Sequence, residues 1–411
     1  MLRPYACRIC SSPDHELILS LGDVALADSF LSDSSSLEEE PRYPLNLVIC
    51  KECNHVQIKE VLDPGLMFRD YPWETGIPSS IRPYCREFAD SVIPRLTSRT
   101  PRVLEVASND GTMLSEFQSR GCTVLGVDPA SNIVRKANER GVATLDSFFD
   151  ASVATSIRLQ HGTWDLIVAR NVLAHVADLQ GLVAGIKLLL AEDGLCIVEV
   201  PQLLTMYQEL QYDQVFHEHV GYHSLDSIVR LFSMHGLRVI DVEDVWIHGG
   251  SIRATICHQA AVHLPSPGLE EALKREIEAG ILDPECWRSF GDRARTQKSL
   301  LRELLSGIVA QGKVVAGYGA SGKGQTMLQF CELNRDMVAF IADKSKEKIG
   351  KLTPGTHIPV VSPEEMRVAG VDYLVLFAWN FADEIIKQEQ ALMDHGVRFI
   401  HPLPHPHYLD H

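Results

Sequence analysis

The densest chemistry in the chain is Phe216-His217-Glu218-His219, with Tyr222 and His223 just after it. Imidazoles beside a carboxylate point to proton transfer near neutral pH, where a histidine with an adjacent carboxylate partner can act as a general base. The order does not suit a zincin, because the glutamate precedes His219 instead of following the first of an i, i+4 histidine pair. His219 and His223 are spaced four apart, but Gly221 between them and the lack of an apolar face argue against a helix.

A metal is expected elsewhere. Cys7-Arg-Ile-Cys10 and Cys50-Lys-Glu-Cys53 form two Cys-x2-Cys knuckles separated by 39 residues. Two residues between cysteines let both thiolates face one ion, and two knuckles complete a tetrahedral zinc–sulfur shell with no open position for water. The zinc is therefore expected to be structural. His15 and His55 are the alternatives to one cysteine. Neither pair opens a thioredoxin-like βαβ unit, which argues against a redox role.

Two further segments read as strand, turn, helix, the arrangement that offers backbone N–H groups and a helix N-terminus to a ligand. In the first, the apolar run Val103 to Val106 leads into Ala107-Ser-Asn-Asp-Gly111. A single glycine fits the dinucleotide pattern G-x-G-x-x-G poorly. Glu105 or Asp110 would oppose a pyrophosphate and suit the cationic amino-acid end of S-adenosylmethionine. Asp128, ending the next strand, is placed for ribose hydroxyls. Phe148 or Phe149 could cover an adenine or pack in the core. Asn171 and His175 follow the strand Trp164 to Ala169, at the carboxyl edge where open α/β sheets bind ligands. In the second segment, Gly317-Tyr318-Gly319-Ala320-Ser321-Gly322-Lys323-Gly324 follows a strand, and Lys323 beside the N–H nest favours a phosphate or diphosphate. Asp343 ends the next strand, and Trp379-Asn380 follows a later one.

The elements that must hold these residues alternate. Strands at 103–106, 122–127, 164–169 and 195–200, with helices between, imply a mostly parallel sheet covered on both faces. Helical patterns are read over Pro83 to Leu96 and Leu179 to Leu190, and further strands over Val338 to Ile341, Tyr373 to Phe377 and Val397 to Ile400. The acidic, Ser-rich stretch Asp33 to Glu40 reads as a loop. Over 411 residues, 38 Lys plus Arg against 54 Asp plus Glu leave a net charge of −16. That balance argues against a nucleic-acid partner. A hydrophobic fraction of 45% with 22% charged residues excludes disorder as the dominant state. No run approaches the ~18 apolar residues of a membrane span. Met1 to Cys10 lacks the apolar region of a signal peptide, so a reducing, cytoplasmic setting is expected.

Taken in order, the paired Cys-x2-Cys knuckles, SNDGT, NVLAH, EVP, FHEH with HVGYHS, GYGASGKG, PGTHIPV and WN resemble the sugar C-methyltransferase family of deoxysugar and antibiotic pathways. The likeness covers nearly the whole chain. It implies an α/β protein with an N-terminal zinc-binding domain over 1–62. A class I methyltransferase Rossmann-like domain over 63–260 would follow, then a helical linker and C-terminal Rossmann-like nucleotide-sugar domain over 261–411. It implies S-adenosylmethionine as cofactor and a dTDP-linked 4-keto-deoxysugar as substrate, methylated at C3. By that resemblance His219 is the base and Glu218 its neighbour or a sugar ligand. Asn171 and His175 line the site, and Tyr71 belongs to an aromatic–Ser–Ser segment ending at Ser79-Ser80. Glu105, Ala107, Asn109, Asp110, Gly111, Asp128, Phe148 and Asn171 are then the cofactor candidates. Tyr222, Gly317, Tyr318, Gly319, Ala320, Ser321, Lys323, Asp343, Trp379 and Asn380 are the substrate candidates. Phe216 stands where some members carry Tyr, which removes a phenol. The alternatives are methylation of a non-sugar metabolite and an NAD-dependent oxidoreductase using the Gly317 loop.

Overall fold

The computed structural model describes residues 5–32, 40–69, 71, 73–76 and 81–409. Ser79, Ser80 and most of the acidic loop 33–40 lie outside them. Three sheets organise the described chain.

The first sheet is antiparallel. His15–Val24, Tyr43–Cys50 and Val56–Ile58 pair in sequence order. Its fourth strand comes from far along the chain: Gly221–Tyr222 adds to the edge, Tyr222 opposite Val56 and Gly221 opposite Gln57. The segment that follows the FHEH motif is thus built into the cysteine-bearing sheet.

The second sheet has seven strands in the order Leu237–Val245, Ser251–His258, Leu190–Pro201, Trp164–Arg170, Arg102–Val106, Thr123–Asp128, Thr144–Asp146. Ser251–His258 runs antiparallel to both neighbours, and the five strands beyond it pair in parallel. The inner strands are near-continuous Val, Leu and Ile because helices cover both faces. Leu179–Leu189 buries Leu182, Val183 and Ile186 against one face, and Ile81–Val92 buries Tyr84, Cys85 and Phe88 against the other. The helix expected over Pro83 to Leu96 stops at Val92 and tightens into a 3-10 turn over Ile93–Arg95. Pro94 lacks the N–H that another α-turn requires.

The third sheet follows the 26-residue helix Pro284–Val309. Its order is Val360–Val361, Ile341–Ala342, Val315–Tyr318, Tyr373–Leu376, Arg398–His401, His407–Tyr408, parallel except for the last pair. The strand expected over Val338 to Ile341 is only Ile341–Ala342. Trp287, Phe290 and Leu301 of the long helix share one core with Leu19, Leu47 and Ile49 of the first sheet and with Met327 and Phe377 of the third. That shared core holds the two ends of the chain against each other. Among the described residues no helix is long and apolar enough to cross a membrane.

Candidate active site

The four cysteines converge. Their sulfurs all lie within 4.8 Å of one another, with Cys7–Cys53 and Cys10–Cys50 each at 3.5 Å. A tetrahedron with zinc–sulfur bonds of ~2.3 Å has edges of about 3.8 Å, so the set fits the ion. The knuckles match: Ser11 and Asn54, each following the second cysteine, adopt left-handed φ of 62° and 58°. Their N–H groups close onto the carbonyls of Cys7 and Cys50. His15 and His55 stand outside the cluster. His15 is hydrogen-bonded to the Pro13 carbonyl, and His55 is buried against His223 with ring centroids 5.0 Å apart.

The first turn leaves its strand sharply, with Ala107, Asn109 and Gly111 at positive φ. The Asn109 N–H donates to Asp128 Oδ2 at 2.9 Å and the Ala130 N–H to Asp128 Oδ1 at 2.9 Å, tying the turn to the next strand. A segment from before the sheet lies over it: Thr75 N–H donates to Asn109 Oδ1 and Gly76 N–H to Asp110 Oδ2. Asp110 is also held by Arg140 at 2.7 Å, and against the opposing effect of burial the hydrogen bonds from Thr112 and then Arg140 keep its carboxyl below the usual range. Glu105 lies deeper, 3.7 Å from Arg170, and burial pushes its carboxyl up to about 8. Glu105 Oε2, Arg170 Nε and Asn171 Oδ1 are buried without partners among the described residues. These unpaired groups of both polarities at the carboxyl ends of adjacent strands suit a zwitterionic amino-acid moiety. Phe148 lies under Arg69, 4.9 Å from its centroid, while Phe149 packs beneath Gly185.

The histidine cluster separates into three directions because the chain turns at each residue. His217 Nε2 lies 3.2 Å from the Pro44 carbonyl, in the first sheet. His223 meets His55. His219 faces His175, edge to face at 4.7 Å, and stacks near Phe216 at 4.1 Å. Its Nδ1 is 3.1 Å from the Gln214 carbonyl, an acceptor, so the proton sits on Nδ1 and Nε2 keeps its lone pair. Burial, then His175 and Lys323, hold the imidazole well below its ordinary pKa, so it is neutral at pH 7. The carboxylate expected beside it points elsewhere. Glu218 Oε2 accepts from the Tyr71 hydroxyl at 3.3 Å, and burial with the nearby Asp28 raises its pKa well above normal. The partner of His219 is thus a backbone carbonyl and not the adjacent glutamate. The Tyr222 hydroxyl donates to the same Gln214 carbonyl at 3.3 Å, placing Tyr222 behind His219. The Val220 N–H donates to the Ala174 carbonyl at 2.6 Å, which locks the two histidine segments together.

The second turn faces this cluster. Gly319, at φ 96°, passes so close to Ala378 that an added Cβ would stand 2.3 Å from it. The Ala320 N–H donates to Asp343 Oδ2 at 2.7 Å, and the Ser321 side chain caps the following helix at Gly324. Gly322 approaches the Phe216 ring. Tyr318 departs from its expected place: its hydroxyl bonds Glu389 within the core of the third sheet. Lys323 Nζ donates to the His248 carbonyl at 2.7 Å and lies 4.7 Å from the Trp379 ring centroid. Trp379 Nε1 donates to Asp213 Oδ2 at 2.5 Å, and Asn380 shares the 3-10 turn Trp379–Phe381.

His248 escaped the sequence reading. Its ring lies 3.0 Å from Asn171 Nδ2, and its φ of 59° is followed by 87° and 104° at Gly249 and Gly250. Burial and Lys323 lower its pKa to about 3, so this ring too is neutral. The only sequence signal was one histidine before Gly-Gly in the turn between two strands, where left-handed backbone re-aims a side chain.

Three family models match in chain order. They are a zinc binding domain over 7–68, a methyltransferase domain over 81–242 and a C-methyltransferase C-terminal domain over 246–404. C-methyltransferase NovU of Streptomyces niveus is 38% identical over 408 residues, covering 99% of this chain and 97% of NovU. The chain belongs to the sugar C-methyltransferase family. As a member of that family it is an S-adenosylmethionine-dependent methyltransferase with a zinc-binding N-terminal domain carrying four cysteines, and its cofactors are S-adenosylmethionine and zinc. Solved methyltransferases show a more distant likeness. CcbJ of Streptomyces caelestis is 13% identical, covering 48% of this chain and 97% of its own, with a TM-score of 0.36. The magnesium protoporphyrin IX methyltransferase ChlM of Synechocystis PCC 6803 is 13% identical, covering 42% and 79%, with a TM-score of 0.31.

Proposed function

We propose that the enzyme methylates a carbon of a dTDP-linked keto-deoxysugar of an antibiotic pathway, with His219 as the base that forms the enolate. The observation that carries this is the state of His219. Its Nδ1 proton is committed to the Gln214 carbonyl, its Nε2 lone pair is free, and it lies where the NVLAH and FHEH segments meet the second turn. A proton alpha to a ketone is acidic enough for a positioned base to remove, and holding base and substrate in one site replaces a bimolecular encounter.

S-adenosylmethionine, when bound, supplies an electrophilic methyl group. Glu105, Asp110 and Asn171 surround its amino-acid end in this reading. Asp128 takes the ribose, the Ala107, Asn109 and Gly111 backbone shapes the turn, and Phe148 flanks the base. His175 orients the His219 ring by its edge-to-face contact. Tyr71 and Glu218, already joined by a hydrogen bond, form a polar pair for sugar hydroxyls. Gly317, Gly319, Ala320 and Ser321 present backbone to the diphosphate, with Asp343 bracing the loop and Trp379 and Asn380 beside it.

The test is incubation with methyl-labelled donor and a panel of nucleotide-linked sugars. Label is expected only in keto-sugars with an enolisable position, and in dTDP forms ahead of UDP forms. Transfer to a non-sugar acceptor together with no calorimetric binding of dTDP would overturn the reading.

A further inference from the structure

A neutral, weakly basic imidazole removes a proton alpha to a ketone only if the oxygen receiving the electron pair is stabilised at the same moment. The first turn is poorly suited to this, because its cations are already paired, Arg140 with Asp110 and Arg170 with Glu105 and Glu199. A cation without an ion pair among the described residues comes from the glycine-rich second turn. Lys323 is the second residue of the helix Gly322–Phe330. Its ammonium leaves the glycine turn and is pinned 2.7 Å from the carbonyl of His248, whose own ring touches Asn171. Its charge bears on both His219 and His248. Lys323 has one acceptor and no ion pair among the described residues, so N–H capacity remains. Asp213 stays at a distance as its counter-charge, anchored by Trp379 and with Oδ1 buried and unpartnered. A lysine serving a diphosphate would stay with the loop N–H groups, whereas this one reaches away from them.

Resting on the keto-sugar reading above, we propose that Lys323 is a catalytic residue that hydrogen-bonds the substrate's ketone oxygen and carries the enolate charge. The balance is simple. The α C–H bond breaks and an N–H bond forms at His219 Nε2. The C–H pair becomes the carbon–carbon π bond, and the carbonyl π pair moves onto the oxygen that Lys323 holds. Trp379 and the His248 carbonyl fix where the ammonium stands.

Exchange of the α-hydrogen in deuterated water, followed by NMR on a dTDP-keto-deoxysugar without methyl donor, isolates this step. K323M is expected to slow exchange at saturation by ~100-fold or more, as loss of an oxyanion donor does, with dTDP affinity by calorimetry within about threefold of wild type. Ethylammonium is expected to restore exchange to K323A, a rescue that a merely structural role would not show. Wild-type exchange in K323M, or a lost dTDP affinity with unchanged saturated exchange, overturns the proposal and returns Lys323 to the diphosphate. If instead the wild-type enzyme exchanges no hydrogen on any nucleotide-sugar, the keto-sugar reading itself has failed.

Discussion

The two strand–turn–helix units are built on one frame and carry different charged side chains. In each, an aspartate ending the next strand takes the turn's N–H on one oxygen and the N–H two residues ahead on the other. Asp128 holds Asn109 and Ala130, and Asp343 holds Ala320 and Ser345. The frame therefore does not choose the ligand. The first turn carries Glu105 and Asp110, paired with Arg170 and Arg140. The second contributes Lys323 and closes on the histidine cluster. What differs is the side-chain charge set on that shared backbone, carboxylates with arginine partners in one unit and a lysine directed at the histidines in the other.

The sharpest separation is expected from H219N, which leaves both turns intact. Turnover should fall by ~1,000-fold or more, in the range of a lost general base, while calorimetry finds unchanged affinity for both S-adenosylmethionine and dTDP. A loss of cofactor affinity in this variant would show that the base and the first turn are not separate parts.

The counter-charge of the second turn is next. Burial raises Asp213 to about 6 from 3.8. Between those values the folded protein holds a proton that the unfolded chain has lost, so this contribution to stability is complete below pH 3.8 and disappears as pH rises through about 6. Urea unfolding should show wild type losing roughly 3 kcal/mol more than D213N between pH 4 and 7. Equal slopes would mean Asp213 is charged throughout.

The paired aspartates give the smaller effects. D128N should weaken S-adenosylmethionine binding by ~10- to 100-fold, the worth of hydrogen bonds to a charged group, without touching dTDP. D343N should weaken dTDP by about 10-fold and leave the methyl donor alone. Crossed effects in the two titrations would break the division of labour between the turns.

Much of this was readable in advance because it rests on local pattern. The cysteine spacing, the SNDG turn after Val103–Val106 and the Gly-rich turn after Val315–Tyr318 each carry their geometry in a few consecutive residues. What the chain order hides is direction. Glu218 adjoins His219 in sequence, yet a turn sends it to Tyr71 instead. Tyr222 resembled a substrate contact and stands behind His219. Lys323 sits in a phosphate-like motif but extends to a hairpin 75 residues earlier. His248 had no neighbours in sequence to announce it, because its partners Asn171 and Lys323 arrive from distant elements.

The borrowed strand Gly221–Tyr222 has an engineering consequence. Two residues past His219, the chain completes a sheet that belongs to the other end of the polypeptide, so the N-terminal unit is no detachable module. A chimera that exchanges residues up to 62 between relatives would have to carry the stretch around 214–223 with it. A graft cut at the obvious linker should fold, bind its methyl donor and yet leave the imidazole misplaced.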